Sequence, residues 1–213
     1  MSLDRLQKQI AQTALALPEA HTLALAGGGA MIAHGLIDRA THDVDLFTEI
    51  NPDEAVRVAA ALRQALTEAG LQIAPAARPP HANRFVVHDP STGLSCEVEV
   101  FPDGGRLRPT VRLDLGSVLH LDDLAADKVL ALWGRAEVRD YIDVVALMER
   151  YSKDQLLQLA AEKDPGFTIP TFRDALGAIR RFDPEDWNAT GVDENTIDHT
   201  QQVIAQWLQE IAA

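Results

Sequence analysis

Two aspartates alternate with apolar residues in the segment from Asp43 to Phe47. Successive side chains of a β-strand point to opposite faces, so Asp43 and Asp45 would share one face while the apolar residues share the other. Two carboxylates this close repel each other unless a cation lies between them, and Mg²⁺ prefers oxygen ligands of this kind. The segment therefore predicts a divalent-metal site. The alternative is a solvated strand at the edge of a sheet.

Three consecutive glycines, Gly27, Gly28 and Gly29, stand between a short apolar segment and a helical pattern. Glycine lets the backbone turn sharply and approach a ligand closely, and the free N–H groups at a helix start suit a phosphate. The motif has neither the Gly-Lys-Ser/Thr of a P-loop nor the spacing of a dinucleotide-binding fingerprint. A plain tight turn is the alternative.

Charged residues in the second half of the chain recur at helical spacing. Lys128 and Arg135 are seven residues apart and would lie on one face of a helix. Asp140 and Asp143 would share a face of the next helix, where they could hold the lysine in place. A lysine so held could reach phosphate oxygens as a mobile point charge. The alternative is an ordinary salt-bridge cluster between helices.

The elements that must position these residues change in character near Gly116. Before it, alternation and turn residues predict strands, and after it only helical periodicity remains. We therefore expect an α+β fold, with a mixed β-sheet flanked by helices in residues 1–115 and a helical domain in residues 116–213. The predicted strands are 22–26, 43–48, 71–74, 84–88 and 95–101. The predicted helices are 2–17, 30–37, 53–69, 122–133, 138–151, 154–162, 171–181 and 195–211. Asn51 followed by Pro52 predicts the start of the helix over 53–69, as a cap ahead of a proline at the first helical position.

The stretch LALAGGGAMIAHGLIDRATHDVDLF resembles one branch of the polymerase-β-like nucleotidyltransferase superfamily, the AbiEii/AbiGii toxins, which include the MenT-type toxins. The shared signature is a strand, Gly-Gly or Gly-Ser, one helix, an Arg-x-Thr/Ser approach and Asp-x-Asp. Here Asp43 follows Gly29 by fourteen positions, and Arg39 and Thr41 occupy the approach. Where the family usually has Gly-Ser, this chain has Gly27-Gly28. No serine hydroxyl can therefore help to hold a phosphate, and backbone N–H groups must do so. The resemblance covers residues 20–50, 95–102 and 121–150.

The resemblance implies transfer of a nucleoside monophosphate from an NTP to an acceptor hydroxyl, with Mg²⁺ or Mn²⁺ as cofactor. It implies a third acid on a strand beside the Asp-x-Asp strand, and Glu97 and Glu99 share a face of the segment SCEVEVFPD. Glu99 is favoured because two apolar residues and a proline follow it, while Glu97 stays an alternative. A glutamate is one methylene longer than an aspartate, so Glu99 could act as a general base instead of a tight metal ligand.

Further roles follow from the same resemblance. The implied metal ligands are Asp43, Asp45 and Glu99. The implied catalytic set adds Lys128, Asp140 and Asp143 to these acids. The implied nucleotide contacts are Gly27, Gly28, Gly29, Arg39, Thr41 and Lys128.

Charge limits which partners the protein can bind. Nineteen Lys and Arg against 32 Asp and Glu give a net charge of −13, which argues against broad binding of a phosphate backbone. Residues 1–115 hold ten basic and fourteen acidic side chains, and the remainder holds nine and eighteen. A tRNA or other RNA acceptor would therefore need a local basic groove or divalent metal ions.

The remaining expectations concern compartment, partners and alternatives. The single cysteine, Cys96, forms no internal disulfide, and no segment approaches the ~20 apolar residues of a membrane helix, so we expect a cytoplasmic protein without a signal peptide. The family analogy implies a toxin of a toxin–antitoxin or phage-defence system, with an RNA or protein acceptor and a cognate antitoxin. Oligomeric state stays open. The alternatives are a non-catalytic nucleotide- or protein-binding member and a small-molecule nucleotidyltransferase of the aminoglycoside type.

Overall fold

The computed structural model describes residues 3–49, 51–76 and 83–212. The chain forms two compact units, which we call the α/β unit (Met1–Gly35 and Thr41–His120) and the helical unit (Leu36–Ala40 and Leu121–Ala213). Residues 36–40 thus belong to the helical unit, although they precede most of the α/β unit in sequence. No helix in the described ranges has the length and apolar character needed to cross a bilayer.

One mixed sheet organises the α/β unit. Its strands in the described residues are β1 (Ala24–Leu25), β2 (Asp43–Thr48), β3 (Gln72–Pro75), β4 (Arg84–His88), β5 (Ser95–Pro102), β6 (Val111–Leu113) and β7 (Gly116–Val118). Their order in the sheet is β3-β4-β5-β2-β1-β7-β6. The pairs β2–β5 and β1–β7 are parallel, and the other neighbours are antiparallel. This mixed sheet flanked by helices confirms the predicted fold class.

The two central strands bury one face and leave the other accessible. The buried face carries Val44, Leu46, Val98 and Val100, all fully buried. Burial of each such side chain stabilises the fold by about 1.5–3 kcal/mol. Helices α1 (Arg5–Leu15) and α3 (Pro52–Glu68) pack against these strands. Helix α3 starts as predicted, because Asn51 accepts hydrogen bonds from the N–H groups of Asp53 and Glu54 ahead of Pro52.

The helical unit has a core of aromatic rings. The Phe172 ring lies 5.6 Å from that of Phe167 and 5.2 Å from that of Trp207. The hydroxyl of Tyr141 donates to the Ala175 carbonyl at 2.6 Å, so this buried phenol keeps its hydrogen bond. The elements are α4 (Leu121–Gly134), α5 (Val138–Leu147), α6 (Lys153–Lys163), α7 (Ile169–Gly177), a 3₁₀ turn (Ala178–Arg181), α8 (Pro184–Asn188) and α9 (Glu194–Ala212).

Three local differences from the sequence prediction have physical causes. The prediction of no strand after Gly116 is wrong, because strand β7 begins at that residue. A strand of three residues is too short to show alternation in the sequence. Its Val118 pairs with Leu25 of β1. Helix α2 (Gly27–Ala33) begins three residues earlier than predicted. Its first turn consists of three glycines, and because glycine has a low helix propensity the sequence does not indicate a helix there. The short helix α8 was not predicted.

Candidate functional site

Four carboxylates meet on the accessible face of the central strands. Strands β2 and β5 run parallel in a register that places Asp43 beside Glu97 and Asp45 beside Glu99. Neighbouring strands lie about 4.8 Å apart, so these side chains are close. We call this set, Asp43, Asp45, Glu97 and Glu99, the acidic face. Like charges directly opposite each other destabilise a sheet, so the face is electrostatically unfavourable without a compensating cation.

Arg84, at the start of β4, supplies part of that compensation. It is the register partner of Glu99 across the β4–β5 pair. Its Nε lies 3.3 Å from Oε1 of Glu97, and its Nη2 contacts Oε1 of Glu99. The sequence prediction missed Arg84, because the pattern of β4 places the residue on a strand but does not reveal the neighbouring strand.

The environment of Glu99 makes its charge unfavourable. Burial raises the pKa of Glu99 to about 7, and repulsion by Asp45 adds to the effect, with smaller contributions from Glu97 and Asp43. Arg84 opposes this rise only in part. A carboxyl group with a pKa near neutrality can both accept and release a proton at physiological pH, as general acid–base chemistry requires.

The first turn of α2 lies against the carboxylate of Asp45. Gly27 has φ +55°, and a Cβ at this position would overlap the Asp45 carboxylate. The N–H of Ala26 donates to the backbone carbonyl of Asp45 at 2.9 Å, which ties the helix start to β2. First-turn N–H groups have no acceptor within their helix, so they can serve an anion. Phosphate binding by Gly27, Gly28 and Gly29 stays a prediction.

Thr41 and Gln7 hold Asp43 from the side of α1. The Thr41 hydroxyl donates to Oδ1 of Asp43 at 2.5 Å, and Nε2 of Gln7 donates to the Thr41 carbonyl at 2.7 Å. Gln7 is only 3% exposed. In sequence, Asp4 and Gln7 form a capping box, which signals a helix start but not this contact between residues 34 positions apart.

A second charged cluster lies within the helical unit, and its centre is Asp143. This fully buried carboxylate receives hydrogen bonds from Arg39 at 2.8–3.0 Å and lies 2.8 Å from Nζ of Lys128. Burial alone would raise the pKa of Asp143, but Lys128 and Arg39 outweigh burial and lower it. Asp143 therefore contacts Lys128, as the spacing suggested, and also pairs with Arg39.

Asp140 serves different neighbours. Its carboxylate accepts hydrogen bonds from Arg135 at 2.8 and 3.0 Å and from the N–H of Glu137 at 3.0 Å. The last of these bonds closes the first turn of α5. Asp140 thus fixes the start of the helix that carries Asp143.

The acidic face contains two carboxylates that fit a metal ion. Among residues 3–49, 51–76 and 83–212, no three His, Cys, Asp or Glu side chains are grouped so as to hold a metal. Asp43 and Asp45 nevertheless point to one half-exposed face, as two protein ligands of Mg²⁺ do when substrate oxygens and water complete its shell. The two aspartates therefore fit a divalent cation. The carboxylate of Glu99, by contrast, forms an ion pair with Arg84.

Known structures share this fold. MenT4, a nucleotidyltransferase toxin of Mycobacterium tuberculosis, aligns at 14% identity over 94% of this chain and 91% of its own, with a TM-score of 0.55. JHP933 of Helicobacter pylori aligns at 14% identity over 98% of this chain and 94% of its own, with a TM-score of 0.50. At such low identity these likenesses show the fold alone. No curated protein sequence matches the chain significantly.

The family model described as "Nucleotidyl transferase AbiEii toxin, Type IV TA system" matches residues 10–190. The match includes the glycines, both aspartates, Glu99 and the Lys128 cluster. It confirms the resemblance drawn from the sequence motifs. The chain belongs to the AbiEii family and is a nucleotidyltransferase.

Proposed function

We propose that the protein transfers a nucleoside monophosphate from an NTP to an acceptor hydroxyl in a reaction that depends on Mg²⁺ or Mn²⁺. The observation that carries this proposal is the parallel register of β2 and β5, which sets Asp43 and Asp45 beside Glu97 and Glu99. The start of α2 lies against the carboxylate of Asp45. A helix start whose N–H groups could receive an anion, next to a pair of aspartates, suits a metal–triphosphate complex.

Each candidate residue of the α/β unit has a separate role in the proposed reaction. Asp43 and Asp45 would hold the cation, whose positive charge would offset the charge of the phosphates. The N–H groups of Gly27 to Gly29 would bind phosphate oxygens, and Thr41 would keep Asp43 in position. Glu99 would accept the proton of the attacking hydroxyl. The new bond joins the acceptor oxygen to the α-phosphorus, and the bond to the leaving pyrophosphate breaks.

Roles in the helical unit are proposed from the family resemblance. Lys128 would neutralise charge on the triphosphate, with Asp143 holding it and Asp140 fixing the start of α5. Arg39 is implied as a nucleotide contact, and its guanidinium donates to Asp143 and to the Ala40 carbonyl. Its contribution would therefore be to order the segment that leads to Thr41.

We further propose that this protein is a cytoplasmic toxin of a toxin–antitoxin system. The acceptor of the nucleotide would be a tRNA, another RNA or a protein. The family's description as a type IV toxin supports the toxin role and a cognate antitoxin. The net charge of −13 limits an RNA acceptor to a local contact area.

Labelled nucleotides test the proposal directly. The protein is incubated with each labelled NTP, Mg²⁺, total RNA and cell protein, and in a separate arm with an aminoglycoside. We expect label on RNA or protein with the wild type and with Glu68→Gln, an exposed control on α3, but not with Asp45→Asn. Label on the aminoglycoside alone would favour the small-molecule alternative. If no acceptor is labelled from any NTP, the proposal is wrong.

A further inference from the structure

Glu99 lies between two possible partners in the sheet. Across the β2–β5 pair its neighbour is Asp45, and across the β4–β5 pair its neighbour is Arg84. Both neighbouring strands are about 4.8 Å away, so the side chain can reach either. The carboxylate contacts Arg84, with 19% of the glutamate side chain and 21% of the arginine side chain exposed.

We propose that Arg84 is a positioning residue that holds Glu99 away from the metal, so that Asp43 and Asp45 are the only protein carboxylates on the cation. This inference rests on the proposed function. It assigns Glu99 the role of proton acceptor and not that of a third metal ligand.

The charges around Arg84 favour this arrangement. If Glu99 turned towards Asp45 to bind a metal, a largely buried guanidinium would lose its closest carboxylate, and an unpaired buried charge is costly. Glu97 is a poorer replacement, since its side chain is 41% exposed and its contact with Arg84 is 3.3 Å long. A guanidinium also presents a fixed fork of donors, which holds a carboxylate in one orientation.

The metal does not require a third carboxylate. Mg²⁺ keeps several waters and is usually bound by one or two carboxylates together with substrate phosphates. An unliganded Glu99 keeps its lone pairs available for a proton, which a metal-bound carboxylate would not.

A double-mutant cycle on metal affinity tests the inference without relying on activity. Mn²⁺ binding is measured by electron paramagnetic resonance for the wild type, Arg84→Met, Glu99→Gln and the double variant, with and without a non-hydrolysable NTP analogue. We expect Glu99→Gln alone to change the Mn²⁺ dissociation constant by less than about twofold, and Arg84→Met to tighten binding by about 5- to 10-fold. In the Arg84→Met background, Glu99→Gln should reverse most of that gain.

Two further variants separate the possible failures. Arg84→Lys keeps the charge but lacks the fork of donors, so its Mn²⁺ affinity should lie between those of the wild type and Arg84→Met, and its thermal melt checks folding if Arg84→Met does not fold. Equal effects of Glu99→Gln in the two backgrounds would overturn the inference, as would weaker nucleotide binding by Arg84→Met with unchanged Mn²⁺ affinity. If Asp45→Asn leaves Mn²⁺ binding intact, or if the wild type binds no Mn²⁺ in either condition, the proposed metal site itself is wrong.

Discussion

The α/β unit and the helical unit each hold a cluster of charged side chains, and the two clusters are built in opposite ways. In the helical unit one buried carboxylate, Asp143, meets the two cations Arg39 and Lys128. In the α/β unit four carboxylates share a half-exposed face, and Arg84 contacts the two glutamates. The pKa of Asp143 is lowered while that of Glu99 is raised to about 7. The first cluster stabilises the charge of its central carboxylate, whereas the second disfavours the charge of Glu99.

The difference shows that net charge does not locate a metal site. Residues 116–213 contain eighteen acidic and nine basic side chains, whereas residues 1–115 contain fourteen and ten. The four carboxylates of the acidic face nevertheless lie in the nearly balanced half, because strand register decides which carboxylates meet. Local excess of one charge on an accessible face is the feature that suits a cation.

The largest expected effect on stability concerns the compensated cluster. Asp143→Ala leaves Arg39 and Lys128 buried without their shared carboxylate, so the free energy of unfolding should fall by about 3–5 kcal/mol. Urea unfolding followed by circular dichroism measures the change, with Glu149→Ala, an exposed acid after α5, as control. A loss below about 1 kcal/mol, typical of a surface ion pair, would contradict the comparison.

The acidic face should respond in the opposite sense. Asp45→Asn removes one of several repelling charges, so the metal-free protein should be as stable as the wild type or more so. Its rate of nucleotide transfer should nevertheless fall by about 10²–10³-fold. Both quantities are measured on one preparation. If Asp45→Asn unfolds as easily as Asp143→Ala, the acidic face is a structural element.

The fold was predictable where the sequence pattern was long. Strand β2 runs from Asp43 to Thr48, as its alternation predicted, and the cap at Asn51 located α3. Strands β6 and β7, each three residues long, are too short to show a period. The longer strand patterns therefore predict a mixed sheet, whereas the side of the sheet formed by β7 and β6 has no such pattern.

The candidate site was predictable as a set of residue types but not as a set of contacts. Alternation put Asp43 and Asp45 on one face, yet their alignment with β5 depends on pairing between distant segments. The ion pair of Arg39 with Asp143 joins residues 104 positions apart, and no local pattern encodes such a distance. The contacts of Arg84 and Gln7 arise in the same way from tertiary structure.

Substitution at the α2 start should combine a functional loss with a moderate loss of stability. An alanine at Gly27 would have its Cβ in the space of the Asp45 carboxylate and a backbone φ of +55°. We expect Gly27→Ala to lower the free energy of unfolding by about 1–3 kcal/mol and to reduce nucleotide transfer, because Asp45 must move. Gly104→Ala is the matched control, since a Cβ there meets nothing within 4 Å. Equal stability and activity of the two variants would mean that the close approach of Gly27 to Asp45 is unimportant.

The smallest expected effect tests the charge of Glu99 itself. The pKa of Glu99 is raised from 4.5 to about 7 in the folded protein. Ionisation of Glu99 therefore lowers the free energy of unfolding. This loss is absent below pH 4.5, grows between pH 4.5 and 7, and is constant at higher pH. Glu99→Gln cannot ionise. In buffer free of divalent cations its stability relative to the wild type should therefore increase by about 1 kcal/mol from pH 4.5 to 8, after discounting for solvent screening.

That change corresponds to a relative rise in melting temperature of about 2–4 °C, measured by thermal melts across the pH range. Glu68→Gln on α3 should show a difference from the wild type that does not vary with pH in this way. A relative stability of Glu99→Gln that falls as the pH rises would mean that Arg84 more than compensates the charge of Glu99. The acidic face would then resemble the Asp143 cluster, and the contrast between the two units would be lost.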